Sequence, residues 1–263
     1  MDPATLIGLV IAFGSLYAMI VLEGAHVQSL LLPAPMILVF GATIAVGIAS
    51  ATIKDTINAA KAVIPAVMGK PAKLEDSVEQ MIKMAEIARA QGLLAMEAEA
   101  AATDDPFMKK ALQNIADGTD GDDLRTMLED EVSTLHKAGH QNSKFFAVLG
   151  GFAPTVGIIG TVVSLTHVLE NLSDPSNLGP MIATAFVATL WGLLSSNFIW
   201  LPISGRIARL NDLATERMNL QLEGLMAIQE GCSPILLGER LAAMIGTGAG
   251  KPAKAGKKAK GSA

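Results

Sequence analysis

The sequence predicts an all-α integral membrane protein with four transmembrane helices and a helical cytoplasmic domain between the second and third spans. Three observations carry that expectation: four long charge-free apolar runs, a one-sided distribution of basic residues, and helical periodicity in what remains. The 263 residues are 51% hydrophobic and only 17% charged, with a mean hydropathy of +0.43. Charged residues make up about a quarter of an ordinary soluble domain, so apolar segments are concentrated somewhere in this chain.

The four runs extend from Pro3 to Leu22, Leu32 to Ala51, Phe145 to Leu169 and Pro180 to Ile203. Each is close to the roughly 20 residues that a helix needs to cross a hydrocarbon layer of about 30 Å. None contains Asp, Glu, Lys or Arg, and none shows the polar face usual for a core helix of a soluble protein. The first run lacks a basic flank and a small-residue cleavage site, so it is expected to be retained. The connections Glu23 to Leu31 and Glu170 to Gly179 carry no Lys or Arg. Every basic residue falls between Lys54 and Lys144 or between Arg206 and Lys260. The positive-inside rule then places the central segment, the tail and both termini in the cytoplasm.

In the central segment Ile53, Ile57, Ala60, Ile64 and Val67 recur at helical spacing, continuing from the second span. Pro71 breaks the pattern, and Leu74, Val78, Met81, Ile82 and Ala85 begin another. A further helix carries Leu124, Leu128, Val132 and Leu135, entered from the turn-forming Asp117-Gly118-Thr119-Asp120-Gly121. After the last span, Ile203, Ile207, Leu210, Ala214 and Met218 extend a helix to about Gln229, where Gly231 and Pro234 stop it. The expected division is a first transmembrane hairpin at 1–52, a cytoplasmic helical domain at 53–145 and a second hairpin at 146–203. A cytoplasmic helical extension at 204–245 and a disordered basic tail at 246–263 complete it. The tail is Gly, Ala and Lys, too poor in large apolar groups to fold alone, so a solvated tail is expected, with contact between its lysines and anionic lipid as the alternative.

Several chemistries fall away. The single Cys232 excludes a disulfide framework and a multi-cysteine metal site. Gly69-Lys70 resembles the end of a phosphate-binding loop, but no Gly stands five residues earlier and Pro71 replaces the required hydroxyl residue. His136 and His140 lie four apart, yet the residues between them lack a catalytic Glu and no third ligand is evident, so no metal is expected. Nothing assembles a nucleophile, a base and an orienting partner. The chain is therefore expected to be no enzyme and to need no cofactor, and nothing points to nucleic acid.

The third span is the most informative. Gly150-Gly151-Phe152-Ala153-Pro154-Thr155-Val156-Gly157-Ile158-Ile159-Gly160-Thr161 combines small residues, which permit close helix approach, with a proline that frees a backbone carbonyl. The fourth span answers with Thr184, Thr189, Gly192, Ser195, Ser196 and Asn197. These residues suit either ordinary membrane-helix packing or the lining of a polar passage.

The stretch Ala153 to Thr161 resembles the third-span signature of the MotA/PomA family of flagellar stator subunits, related to TolQ and ExbB. Thr189-Leu190-Trp191-Gly192, followed by Leu201-Pro202, is similar to its fourth-span signature. The order of two spans, a cytoplasmic region, two spans and a tail favours the flagellar branch, since TolQ- and ExbB-like proteins have one span before their large loop. The resemblance implies the roles that follow. Arg89 and Glu97, in Arg89-Ala90-Gln91-Gly92-Leu93-Leu94-Ala95-Met96-Glu97, face the rotor protein FliG, and Glu131 is a further functional acid. Arg89 and Glu97 would share a face if one helix ran through Gly92. Pro154 and Pro202 couple ion flow to movement. Gly151 departs from the family, many of whose members carry Asp there.

The resemblance further implies a homo-oligomer, a pentamer, around a MotB-like partner that contributes the transmembrane Asp absent from these four spans. Thr155, Thr161 and Thr189 would line the ion path. The translocated ion expected is the proton, with sodium as the alternative: hydroxyls at Thr161 and Thr189 suit a hard cation, but Ala188 replaces a Thr found in typical sodium types. A bacterial inner-membrane location follows. The competing functions are a TolQ/ExbB-type proton channel subunit energising envelope transport, and a membrane scaffold.

Overall fold

A computed structural model of the chain describes residues 4–69, 73–173 and 175–246, whose regular structure is all helical, with no strand among them. Ten α-helices follow in order: α1 (Ala4–Leu22), α2 (Pro33–Ala49), α3 (Ile53–Met68), α4 (Leu74–Gln91), α5 (Met96–Ala102), α6 (Pro106–Ala116), α7 (Gly121–Glu170), α8 (Pro175–Leu194), α9 (Leu201–Gln229) and α10 (Pro234–Met244). A π-helical turn, Ser195–Trp200, lies between α8 and α9. Pro71 and the tail beyond Gly246 lie outside the described residues.

Two departures from the periodicity are instructive. The apolar pattern does not continue unbroken from the second run: α2 ends at Ala49, and Thr52 starts α3 by accepting a hydrogen bond from the Asp55 amide at 3.1 Å. That cap supplies one of the acceptors a new helix start needs. The helix of Leu124 to Leu135 and the third apolar run, by contrast, form one 50-residue helix. The segment between them contains nothing that ends a helix, Gly139 being tolerated inside it.

The described residues pack as two compact units, one within the bounds Met1–Pro71 and His136–Asp212 and the other within Ala72–Leu135 and Leu213–Ala263. The expected segments 53–145 and 204–245 follow hydropathy whereas the units follow packing, so the two divisions differ. The first unit holds a small core of Ala59, Ala66, Phe146, Leu149 and Ile207. Trp191 Nε1 donates to the Leu30 carbonyl at 2.6 Å and pins α8 to the α1–α2 connection. Much apolar surface stays open here: Val10 is 69% exposed, Ile37 73% and Phe186 67%. Apolar exposure on this scale is usual where a surface meets lipid or another chain.

The second unit has a larger core, in which Met81, Met96, Met108, Leu112, Leu124, Leu128, Leu225 and Leu237 are wholly buried. The flexible methionines fill the irregular gaps between short helices. Polar clamps join the helices at the edge. Glu223 on α9 accepts from Arg125 on α7 at 3.0 Å and from Arg240 on α10 at 2.6 Å. Hydrogen bonding to Glu223 raises the pKa of Arg125. Asp105 caps α6 through the Phe107 amide at 3.1 Å and also takes Arg217 at 2.9 Å, so one carboxylate starts α6 and ties it to α9.

Candidate functional site

Within the first unit, α7 and α8 meet backbone to backbone. A Cβ on Gly157 would lie 2.8 Å from the Ala188 carbonyl oxygen, and one on Gly192 would lie 2.7 Å from that of Ala153. Glycine at both positions therefore permits the contact, as small residues do between membrane helices.

Just along this seam Thr161 and Thr189 touch through their hydroxyls. Thr161 Oγ1 also lies 3.0 Å from the Ala185 carbonyl and 3.2 Å from that of Gly157. A hydroxyl has one proton to give. If Thr161 donates to a carbonyl, Thr189 supplies the proton between the two side chains, so the pair is a directed polar chain across the helix seam. Thr155 does not join it. It lies six residues earlier, about 240° around the helix, is exposed, and returns its own proton to the Phe152 carbonyl at 2.8 Å.

The two prolines act on the backbone. Pro154 stands inside α7 and has no N–H, which leaves the Gly150 carbonyl without its usual intrahelical donor. Ser196 fills the vacancy, donating from the π-helical turn to the Gly150 oxygen at 2.7 Å. Pro202 likewise has no N–H for the Phe198 carbonyl, and the helix widens to π spacing immediately before it. The irregularity in one helix is thus hydrogen-bonded to the irregularity in the other. Ser196 is a residue whose importance the sequence hid: the polar run Ser195-Ser196-Asn197 signals something, but not which carbonyl it serves. Neighbouring Ser143 and Ser204 form a second buried pair, their hydroxyls 3.1 Å apart.

In the second unit, Arg89 and Glu97 are not on one helix. α4 ends at Gln91, Gly92 adopts φ 84° and ψ 170°, a short 3-10 turn covers Leu93–Ala95, and α5 starts at Met96. That backbone conformation is essentially open only to glycine. Both charged side chains are exposed, and neither forms an ion pair with another described residue. Glu131 differs: it is half-buried and held by Lys110 at 2.8 Å. Beside Arg89 a cavity of about 250 Å3 opens between the end of α4 and the α9–α10 turn, bordered by Leu93, Glu230 and Cys232. Among the described residues no group of three His, Cys, Asp or Glu side chains is placed to hold a metal.

Comparison with known proteins places this chain among its relatives. Residues 6–92 match the family model described as Motility protein A N-terminal, and residues 99–220 match that of the MotA/TolQ/ExbB proton channel family. The chain is 32% identical to the chemotaxis protein PomA of Vibrio alginolyticus over 89% of its own length and 91% of that protein. It is 28% identical to motility protein A of Bacillus subtilis, covering 92% and 90%. The fold matches a chain of the C. jejuni MotAB structure with a TM-score of 0.89 at 24% identity, covering 93% of this chain and 96% of that one. The flagellar MotAB stator complex of Bacillus subtilis matches with a TM-score of 0.84 at 28% identity, covering 91% and 94%. The chain thus belongs to the MotA/TolQ/ExbB proton channel family, and within it to the MotA/PomA group of motility proteins.

Proposed function

We propose that this chain is the MotA-type stator subunit of a bacterial flagellar motor, a non-enzymatic membrane component that assembles with a MotB-like partner and couples ion flow to torque. Four spans are proposed, in α1, α2, α7 and the α8–α9 stretch, with both termini, the 53–145 and 204–245 segments and the basic tail in the cytoplasm. Two of these helices are long and apolar enough to cross a membrane, and only 39% and 33% of their apolar windows is buried within the chain. Core helices of a soluble protein would be mostly covered, so the exposed remainder supports lipid and subunit contact. α1 and α2 are shorter apolar helices, and their spanning role rests on the charge asymmetry of their flanks.

The observation that carries the reading is the α7–α8 seam, where a hydroxyl pair and a serine-satisfied proline kink stand in a wall without Asp, Glu, Lys or Arg. The four spans supply no Asp, Glu, Lys or Arg, so the titrating group comes from the partner. A charged carboxylate is costly against an apolar wall and a neutralised one is not. Ion binding to the partner's Asp therefore changes which part of the wall it prefers, and Thr161 and Thr189 offer the polar step between those states. Thr155 is also proposed to line the ion path, from an exposed side of α7 turned away from that pair, and Pro154 and Pro202 let the helices flex as the carboxylate moves. Arg89, Glu97 and, through its Lys110 pair, Glu131 are assigned to the surface that meets the rotor protein FliG.

The proton is the proposed ion. The test is swimming speed in a strain lacking this chain and complemented with it, with sodium varied at constant ionic strength and a protonophore added. Loss of swimming with the protonophore and indifference to sodium establishes a proton-driven stator. Dependence on sodium overturns the ion assignment alone. Normal swimming without the chain, where no second stator is present, overturns the stator reading in favour of an envelope-energising channel subunit.

A further inference from the structure

Three side chains from the π-helical turn and α9 reach backbone carbonyls of α7. Ser196 donates to the Gly150 oxygen at 2.7 Å, Ser204 to that of Ser143 at 2.8 Å, and the Asn211 amide to that of His136 at 3.1 Å. The donors rise along the chain as the acceptors fall, which is the pairing of antiparallel helices. The acceptors stand seven residues apart. Seven residues fall about 20° short of two full turns, so the three carbonyls lie on one stripe of α7, about 21 Å long at its helical rise. The donors are spaced by eight and then seven. The longer interval contains the π-helical turn, which takes up one extra residue. At strict heptad spacing the first donor would be Asn197, whose amide is turned instead to the Leu193 carbonyl of its own helix at 2.9 Å. The π-helical turn thus brings Ser196 into register.

The middle rung is reciprocal. The Ser143 hydroxyl donates to the Ser204 carbonyl at 3.0 Å, so each serine spends its one proton on the backbone of the other. Both are 7% exposed and Ser196 is 3% exposed, which leaves little water to compete for these bonds. At the last rung a Cβ on Gly139 would overlap the Asn211 side chain, so glycine makes the room that Asn211 fills.

We propose, on the stator reading above, that this ladder is a coupling strut, with Ser143 and Ser204 as its positioning residues. Buried polar contacts at heptad spacing fix the register of paired helices. Advancing one helix by a residue, about 1.5 Å and 100° of rotation, would break all three rungs together. Pro202 lies between the first two rungs and Pro154 one turn beyond the first. Bending at the prolines is therefore not absorbed by slippage along the seam. From the serine rung to Asn211 the two helices move as one body and carry the displacement of α7 along both.

The test joins a measurement of register to one of coupling. In the purified complex of this chain with its partner, Cys232, the only native thiol, is first replaced by Ser. Ser143→Cys with Ser204→Cys should then form a disulfide on mild oxidation, since the replaced oxygens are 3.1 Å apart. Ser143→Cys with Gly205→Cys should not. Failure of the first pair to link, or equal linking of both, overturns the register. In cells lacking the native chain, Ser143→Ala with Ser204→Ala should lower stall torque about twofold or more, while proton flux through the reconstituted complex is unchanged. Torque and flux falling in proportion would give the serines a structural role only, and unchanged torque would give them none; either result overturns the proposal. Should the alanine pair fail to assemble, the cysteine pair decides alone, losing torque when reduced and regaining it when oxidised. Arrest on oxidation, reversed by reductant, would mean that α7 and α9 slide in every step and would overturn the strut. The two levels separate cleanly. Normal swimming without the chain, where no second stator is present, overturns the stator reading, whereas failed linkage in the purified complex overturns the ladder alone.

Discussion

Ser196 illustrates how one side chain can make a proline tolerable. Pro154 removes a donor from α7, and the freed Gly150 carbonyl would stand unsatisfied in an apolar setting without the 2.7 Å bond from Ser196. Replacing Ser196 with Ala should destabilise the purified complex by about 1–3 kcal/mol and slow swimming, with membrane insertion intact. Unchanged thermal stability and unchanged speed together would remove the bond from the mechanism. The threonine pair makes a different prediction, because its members act together. Thr161→Val and Thr189→Val should each slow swimming, and the double variant should be no slower than the worse single one, since either change breaks the same contact. Additive losses in ln(speed) would show that the two hydroxyls serve separate steps.

Gly92 decides what the second unit presents at the scale of an element. Its φ of 84° turns the chain between α4 and α5 and sets where Arg89 and Glu97 emerge. A side chain in this region of backbone space costs about 1–3 kcal/mol. Gly92→Ala should therefore lower the melting temperature of the complex and impair motility, although neither charged residue is altered. Full motility with unchanged melting would mean that the turn relaxes freely. The clamps that hold the surrounding helices are partly exposed: the Arg125, Arg240 and Glu223 side chains are 36%, 50% and 22% exposed. Each such ion pair is worth no more than about 1 kcal/mol, so the methionine- and leucine-rich core, not the ion pairs, carries the unit's stability.

At the scale of the whole molecule, function is divided between chains. The four proposed spans hold no Asp, Glu, Lys or Arg, so this protein purified without its partner should conduct no ions in liposomes, and a pH-sensitive dye trapped inside should record no change above lipid alone. Robust conduction by the chain alone would sink the proposed division of labour. The proposed rotor surface is tested by reversing both charges, Arg89→Glu with Glu97→Lys. Swimming should fail while co-purification with the partner stays normal, because both residues are exposed and make no ion pair with the described residues. Wild-type swimming in that strain would leave the rotor contact to other residues.

Composition and periodicity by themselves determined that the chain is helical and apolar in four places, where its basic residues cluster, and where α9 stops before Gly231 and Pro234. The family was legible separately, through the resemblance of the run from Ala153 to Thr161 to its third-span signature. These are local properties: the free energy of placing a residue in lipid, or of starting and ending a helix, depends on the residue and a few neighbours. Only the tertiary structure decided that Thr189 meets Thr161 while Thr155 turns away, that Ser196 serves the carbonyl freed by Pro154, and that Gly92 separates Arg89 from Glu97. Each depends on which helix faces lie together, or on a backbone angle that glycine permits without requiring. A serine 46 residues from the carbonyl it satisfies cannot announce that partner, because packing of the two helices, not sequence spacing, brings them to 2.7 Å.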